Sequence, residues 1–293
     1  MLEQFQLLHD FYPGFTYGFY LMIGLLIGSF LNVVIYRLPI MLESSWQREA
    51  ERALGHISKP ENFDAPFNLA RPRSQCPECD APIKAANNIP IVSFLLLKGR
   101  CSQCQNPISP QYPAVELATG LATLFLIHHF GLSSAGGLAC LLTYALIALS
   151  MIDYRTTLLP DSITLPFLWL GLLVNINGIF TDLGSAVVGA IAGYLSLWSI
   201  YWGFKLITGK DGMGFGDFKL LALLGAWMGW QMLPVIVLLS SFAGAVVGLS
   251  LIALGRDKDL PIPFGPYLAI AGWMTLIWGE SLTASYFELL GGS

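Results

Sequence analysis

Charge is scarce in this chain. Lys, Arg, Asp and Glu make up 12% of its 293 residues, while 55% are hydrophobic. An ordinary soluble domain carries about 25% charged residues. The shortage, with apolar runs this long, argues against a solvated globular fold and indicates an all-α polytopic membrane protein. The first 16 residues hold no Lys or Arg, so the basic start of a cleavable signal peptide is missing and none is expected. Histidines number only four. His128 and His129 fall at the outer end of the second apolar run, and His9 and His56 have no evident partners, so no histidine metal site is expected. No G-x-x-x-x-G-K-[ST] loop is present, and "GMGFGD" (Gly212 to Asp217) follows no strand pattern. A phosphate-binding loop and a dinucleotide fingerprint are thereby set aside, and no nucleic-acid partner is expected. Internal repeats and low-complexity segments are not evident.

Eight apolar runs are present, at about 17–36, 114–131, 135–152, 162–180, 183–207, 217–230, 232–254 and 264–285, and each reads as a membrane span. The sixth is short for a bilayer of roughly 30 Å, which suits a tilted helix or one buried among others. "GAIAG" (Gly189 to Gly193) and "GAVVG" (Gly244 to Gly248) put small residues on one helix face, as close helix contacts need. Nine of the 15 Lys and Arg lie between Arg37 and Arg100. The other six are Arg155, Lys205, Lys210, Lys219, Arg256 and Lys258. In the eight-span arrangement all fall on one side, which the positive-inside rule makes cytoplasmic, with both termini outside. The expected organisation is therefore a first segment and helix over 1–37, a cytoplasmic loop domain over 38–113, and a seven-helix membrane domain over 114–293.

The loop domain carries four of the five cysteines. Cys76 and Cys79 in "CPEC", with Cys101 and Cys104 in "CSQC", form C-x2-C-x21-C-x2-C. Two such knuckles can deliver four thiolates to a tetrahedral Zn²⁺, and a reducing cytoplasm disfavours disulfides there. Four thiolates leave no open position for water, so the expected metal is structural, a staple for a loop too small to build its own core. Cys140 lies inside the third run and reads as a packing residue.

Three aspartates stand at the cytoplasmic ends of spans: Asp153 in "IALSMIDYR", Asp161 in "LLPDSITLP" and Asp217 in "GKDGMGFGDFKLL". Acids at such places are functional suspects. Asp161 reads as an N-cap of the fourth span, and position alone allows the same for Asp217. Asp153 ends its own helix, where the dipole disfavours an anion, and capping does not account for it; Arg155 is a possible ion-pair partner. Two carboxylates meeting across helices would suit acid–base hydrolysis, one activating water and the other polarising a carbonyl. Helix position would then favour the anion at Asp217 and the neutral acid at Asp153. Gly214 and Gly216 would let an extended substrate approach the backbone closely. The competing classes are a proton-coupled transporter and a noncatalytic assembly protein that docks through its zinc loop.

Taken in order, "GSFLNVVIYRLP" (Gly28 to Pro39), the paired cysteines, "NIPIVSFLLLKGRC" (Asn88 to Cys101), "ISPQYPAVELATG" (Ile108 to Gly120), "MIDYRTTLLPDSITLP" (Met151 to Pro166) and "GMGFGDFKL" (Gly212 to Leu220) resemble the type IV prepilin leader peptidases. The resemblance implies an eight-helix GxGD-type aspartic protease of the bacterial inner membrane, working in pilus or secretion systems. Its catalytic pair would be Asp153 and Asp217, with Asp161 supporting. Its substrates would be prepilins or pseudopilins, cut on the cytoplasmic side after the Gly of a basic leader. It further implies N-methylation of the new terminus, often Phe, with S-adenosylmethionine as donor, at a site the sequence does not locate. Gly99 matches a family glycine beside the third cysteine; it serves either that activity or only the turn into the knuckle. Relatives lacking the cysteines imply that zinc is dispensable for cleavage. Glu43, Glu49 and Glu51 either attract a basic leader or form a solvated helix face.

Overall fold

The computed structural model describes residues 11–55, 67–255 and 262–289; His9, His56, Arg256 and Lys258 lie outside the described residues. Among the described residues the chain is helical and has no strand, only two isolated β-bridges. The helices are α1 (Pro13–Ala53), α2 (Val92–Leu96), α3 (Gln111–Phe130), α4 (Ser134–Thr156), α5 (Asp161–Asn175), α6 (Leu183–Thr208), α7 (Phe215–Met228), α8 (Leu233–Ala253) and α9 (Gly265–Leu289). All but α2 fall on the apolar runs read from the sequence. Among the described residues, five segments are long and apolar enough to cross a membrane: α1, α3, α4, α6 and the stretch Trp230–Ala253 that contains α8. The chain forms two compact units, Met1–Cys140 and Leu141–Ser293.

In the first unit α1 packs along α3. Glycines bring the two backbones together: a Cβ on Gly28 would lie 2.7 Å from Glu116 Cα, and one on Gly24 would lie 2.8 Å from Gly120 Cα. Such contact substitutes for the hydrophobic driving force that helices lack in lipid. The helix does not stop where the apolar run stops. It continues through Pro39 to Ala53, 41 residues in all, or about 60 Å. Glu43, Glu49 and Glu51 ride on the exposed extension. Cys140 is buried within α4. His128 accepts or donates one hydrogen bond at Nδ1, with the Tyr17 hydroxyl 3.0 Å away, and His129 stacks on Phe125.

In the second unit the core is α7. Every residue from Asp217 to Met228 except Lys219 is buried, and α5, α6 and α9 pack against it. Gly189 of α6 and Gly225 of α7 meet backbone to backbone, with no room for a Cβ on either. One turn along, a Cβ on Gly193 would lie 2.7 Å from the Leu221 carbonyl oxygen. The "GAIAG" motif thus makes the close contact read from it. Gly244 of "GAVVG" does not, since a Cβ there meets nothing nearer than 3.6 Å. The short sixth run is explained by burial. A helix ending away from water must still satisfy its last carbonyls, and the Asn175 side-chain amide donates to the carbonyls of Ala226 and Trp227, 2.9 Å each. The Trp227 indole N–H donates to the Phe167 carbonyl at 2.8 Å. With that end anchored, Asp217 is held at the other.

Candidate active site and metal centre

Asp153 and Asp217 are 5% and 7% exposed, and their carboxylates lie near enough to interact through charge. Each is placed by a helix N-terminus. Asp217 is the third residue of α7, not its N-cap; the N-cap is Gly214, whose backbone N–H lies near enough to the Asp217 carboxylate to stabilise its charge. An acid at this position commonly reaches back in this way. Asp153 Oδ2 accepts the Gly265 N–H at 2.9 Å, a buried bond between residues 112 apart, and Gly265 opens α9. A Cβ at that position would lie 2.6 Å from the same oxygen, so glycine is what lets the carboxylate reach the helix end.

The contact with Gly265 corrects two readings of the sequence. Capping does contribute to Asp153, through α9 and not through its own helix. And helix position divides the pair less sharply than read, because Asp153, in the last turn of its own helix, also faces the N-terminus of α9, where the dipole favours an anion.

Asp161 also differs from expectation. Pro160 is the N-cap of α5 and no side chain caps that end. Asp161 instead receives the Lys219 ammonium through both carboxylate oxygens, 2.7 Å each, tying the start of α5 to the first turn of α7. Gly216 packs on Leu159, whose Cβ would lie 2.7 Å from a Cβ on the glycine. Its missing side chain therefore serves packing between these segments. Gly214 is exposed, and an added Cβ would meet nothing nearer than the Asp217 carboxylate, at 3.7 Å, so it leaves the approach to that acid open. The loop before it is tied to α6. The Tyr201 hydroxyl donates to Asp211 Oδ1 at 2.6 Å, and Lys205 Nζ lies 2.8 Å from the same oxygen. The hydrogen bond from Lys205 holds the Asp211 carboxyl below its usual value.

In the first unit the Sγ atoms of Cys76, Cys79, Cys101 and Cys104 all lie within 4.8 Å of one another, and Cys76 and Cys104 are 3.9 Å apart. Zn–S bonds of about 2.3 Å in a tetrahedron place sulfurs about 3.8 Å apart, so the donor set fits zinc. The Gln103 N–H donates to Cys101 Sγ at 3.4 Å; within the cluster the Cys101 thiol is drawn down and the neighbouring Cys104 thiol is pushed up.

The two knuckles are copies of one unit, which corrects the reading that the chain has no internal repeat. "CPECDAPI" (Cys76 to Ile83) and "CSQCQNPI" (Cys101 to Ile108) share C-x2-C-x2-P-I. The Cys76 N–H bonds the Ala81 carbonyl and the Cys101 N–H bonds the Asn106 carbonyl, at 3.0 and 2.9 Å. Bridges Gln75–Pro82 and Arg100–Pro107 close both, and Asp80 and Gln105 share positive φ, 52° and 59°. Gly99, at φ 68°, leads into the second knuckle; its N–H donates to the Phe94 carbonyl at 2.8 Å, so the turn it makes is real. Gly265 and Lys219 are site residues that the sequence marks only weakly, as a glycine between Phe264 and Pro266 at a helix start and a lone lysine in an apolar run.

Similarity to known proteins follows this division. Residues 22–130 match the bacterial peptidase A24 N-terminal domain, and residues 140–249 match the type IV leader peptidase family. The prepilin leader peptidase/N-methyltransferase of Stutzerimonas stutzeri is 55% identical over 92% of both chains. That of Aeromonas hydrophila is 54% identical over 94% of both, and that of Pseudomonas aeruginosa 52% identical over 92% of this chain and 93% of its own. No solved structure matches.

Proposed function

We propose a function from one premise: this chain belongs to the type IV leader peptidase family. It is a membrane enzyme with two activities. It cleaves the leader peptide from prepilins or pseudopilins, and it N-methylates the residue that cleavage exposes. The observation that carries the first activity is the buried carboxylate pair, Asp153 and Asp217, with the Gly265 N–H of another helix on Asp153 and the N-terminus of α7 itself beside Asp217.

In the cleavage step one carboxylate takes a proton from water as the water attacks the scissile carbonyl. The other, protonated, donates to the carbonyl oxygen, and the proton then passes to the leaving amine. The Gly265 and Gly214 N–H groups hold the two carboxylates in place. Asp161 and Lys219 fix the helix ends around them, and Gly214 leaves room for the extended backbone of the substrate. The reaction takes place at the cytoplasmic face of the inner membrane, where the basic residues gather by the positive-inside rule.

Cys76, Cys79, Cys101 and Cys104 would hold zinc, which would fix the loop rather than take part in cleavage. S-adenosylmethionine, when bound, supplies the methyl group. Gly99 supports the second activity by making the turn that sets the knuckle.

The test uses the purified protein in detergent with a prepilin and S-adenosylmethionine. Asp153→Asn and Asp217→Asn are each expected to lower cleavage by about 10²–10⁴-fold, measured as the gel shift of the processed pilin. Cleavage without methyl transfer by the wild type would remove the second activity and keep the first.

A further inference from the structure

A second pair of buried polar groups lies in the first unit, away from the aspartates. Asn32 of α1 is 5% exposed and Glu116 of α3 is 8% exposed. They occupy successive turns of one helix contact. Gly28, one turn before Asn32, rests on Glu116, while the Asn32 amide nitrogen donates to the Tyr112 carbonyl at 3.0 Å, one turn before Glu116. Glu116 Oε2 accepts the Ile91 N–H at 2.8 Å, and the Ser29 side chain interacts with the same carboxylate.

Both groups want the same thing. Asn32 Oδ1 is buried with no hydrogen-bond partner among the described residues, a state that is rare and costs about 1–3 kcal/mol. The Glu116 carboxylate has about four acceptor positions, and among the described residues no Lys or Arg forms an ion pair with it. Buried carboxylates are normally paired with a cation. An unfilled amide oxygen one turn from a carboxylate without a cation leaves acceptor positions open on both side chains.

The loop that closes on it is strained. Ile91 has φ 61° and ψ −49°, in a three-residue turn that brings the Val92 N–H to the Pro90 carbonyl at 2.5 Å. A β-branched residue adopts that conformation only where its surroundings impose it. The bond from its own N–H to Glu116 is part of what imposes it, and so couples the carboxylate to the segment that leads through Gly99 into the second knuckle.

We infer that Glu116 and Asn32 bind a primary ammonium group. This rests on the methyl-transfer reading, in which two ammonium groups meet the enzyme: the pilin N-terminus freed by cleavage and the methionyl amine of S-adenosylmethionine. A tetrahedral ammonium supplies N–H donors for Asn32 Oδ1 and positive charge for Glu116.

The test compares binding of free-amine probes with their N-acetylated twins by isothermal titration calorimetry, on the full-length protein in detergent. One probe is a Phe-initiated peptide with the sequence of a processed pilin N-terminus; the other is S-adenosylhomocysteine. Wild type is expected to bind at least one free amine about tenfold or more tighter than its acetylated twin. The probe that shows the preference identifies the source of the ammonium. In Glu116→Gln, which keeps the shape and the Ile91 contact, the preference is expected to vanish. In Asn32→Asp, whose added carboxyl ionises beside Glu116 when a cation is bound, it is expected to grow, and a purely structural role for either residue would produce neither change. A full preference retained in Glu116→Gln overturns the site alone. Wild type that binds both twins of each probe equally does the same. Wild type that binds no probe overturns the site and the methyl-transfer reading together.

Discussion

The cysteine cluster and the aspartate pair solve the same problem, holding reactive side chains together, by opposite means. The cluster is local. Two eight-residue copies of C-x2-C-x2-P-I each fold on their own backbone hydrogen bonds and present two thiols. The pair is nonlocal. Asp153 and Asp217 come from different helices, and what positions them is the start of a third, at Gly265, and the anchored far end of α7 at Asn175. Local construction tolerates change elsewhere in the chain, whereas construction from helix ends makes the site depend on packing many residues away.

The comparison can be broken first at the aspartates. Replacing Gly265 with Ala puts a Cβ against the Asp153 carboxylate and should lower cleavage by about 10²-fold or more, as small misplacements of reacting groups do. Normal processing of a prepilin by that variant would show that the α9 terminus does not position Asp153. Next in size is the metal. Zinc binding in small structural sites is worth about 10–16 kcal/mol, so Cys101→Ser should loosen the knuckles. Metal analysis should find less than one zinc per chain, limited proteolysis should cut within 67–110, and cleavage should survive within a few-fold. Loss of cleavage equal to that of the aspartate variants would join the two regions that this account separates.

A smaller effect is expected at Asn175. Asn175→Ala strips the donor from two α7 carbonyls and should cost about 1–3 kcal/mol, read as a lower Tm in detergent with a parallel fall in cleavage. An unchanged Tm would mean that α7 is held by packing alone. The smallest effect belongs to the Lys219–Asp161 pair. Asp161 is half exposed there, and exposed ion pairs contribute about 0.2–1 kcal/mol, so Lys219→Ala should barely move Tm.

How much of this was legible in the sequence follows the same local and nonlocal divide. Hydropathy placed the long helices, because burial in lipid demands apolar runs whatever the partner. The cysteine spacing announced a metal centre, because four ligands from two short turns leave their spacing in the chain. The repeat around them was also there to be read, as the shared Pro-Ile after each pair shows. The acids themselves were visible as polar residues in apolar surroundings. Their supports were not. Gly265 meets Asp153 across 112 positions, and no periodicity encodes which helix start faces which carboxylate. The Asp161–Lys219 bridge was hidden for the same reason, and position alone made Asp161 look like an N-cap. Asn32 and Glu116 sit inside motifs dominated by apolar residues, and an unfilled acceptor is a property of the fold alone.

The central claim is that Asp153 and Asp217 act as one unit. The most direct measurement is the cleavage rate of Asp153→Asn, Asp217→Asn and the double variant on one prepilin under single-turnover conditions. Residues that act together lose their effect together, so the double variant should be no slower than the slower single one. Losses that multiply in the double variant, or a single variant that still cleaves at the wild-type rate, would contradict it.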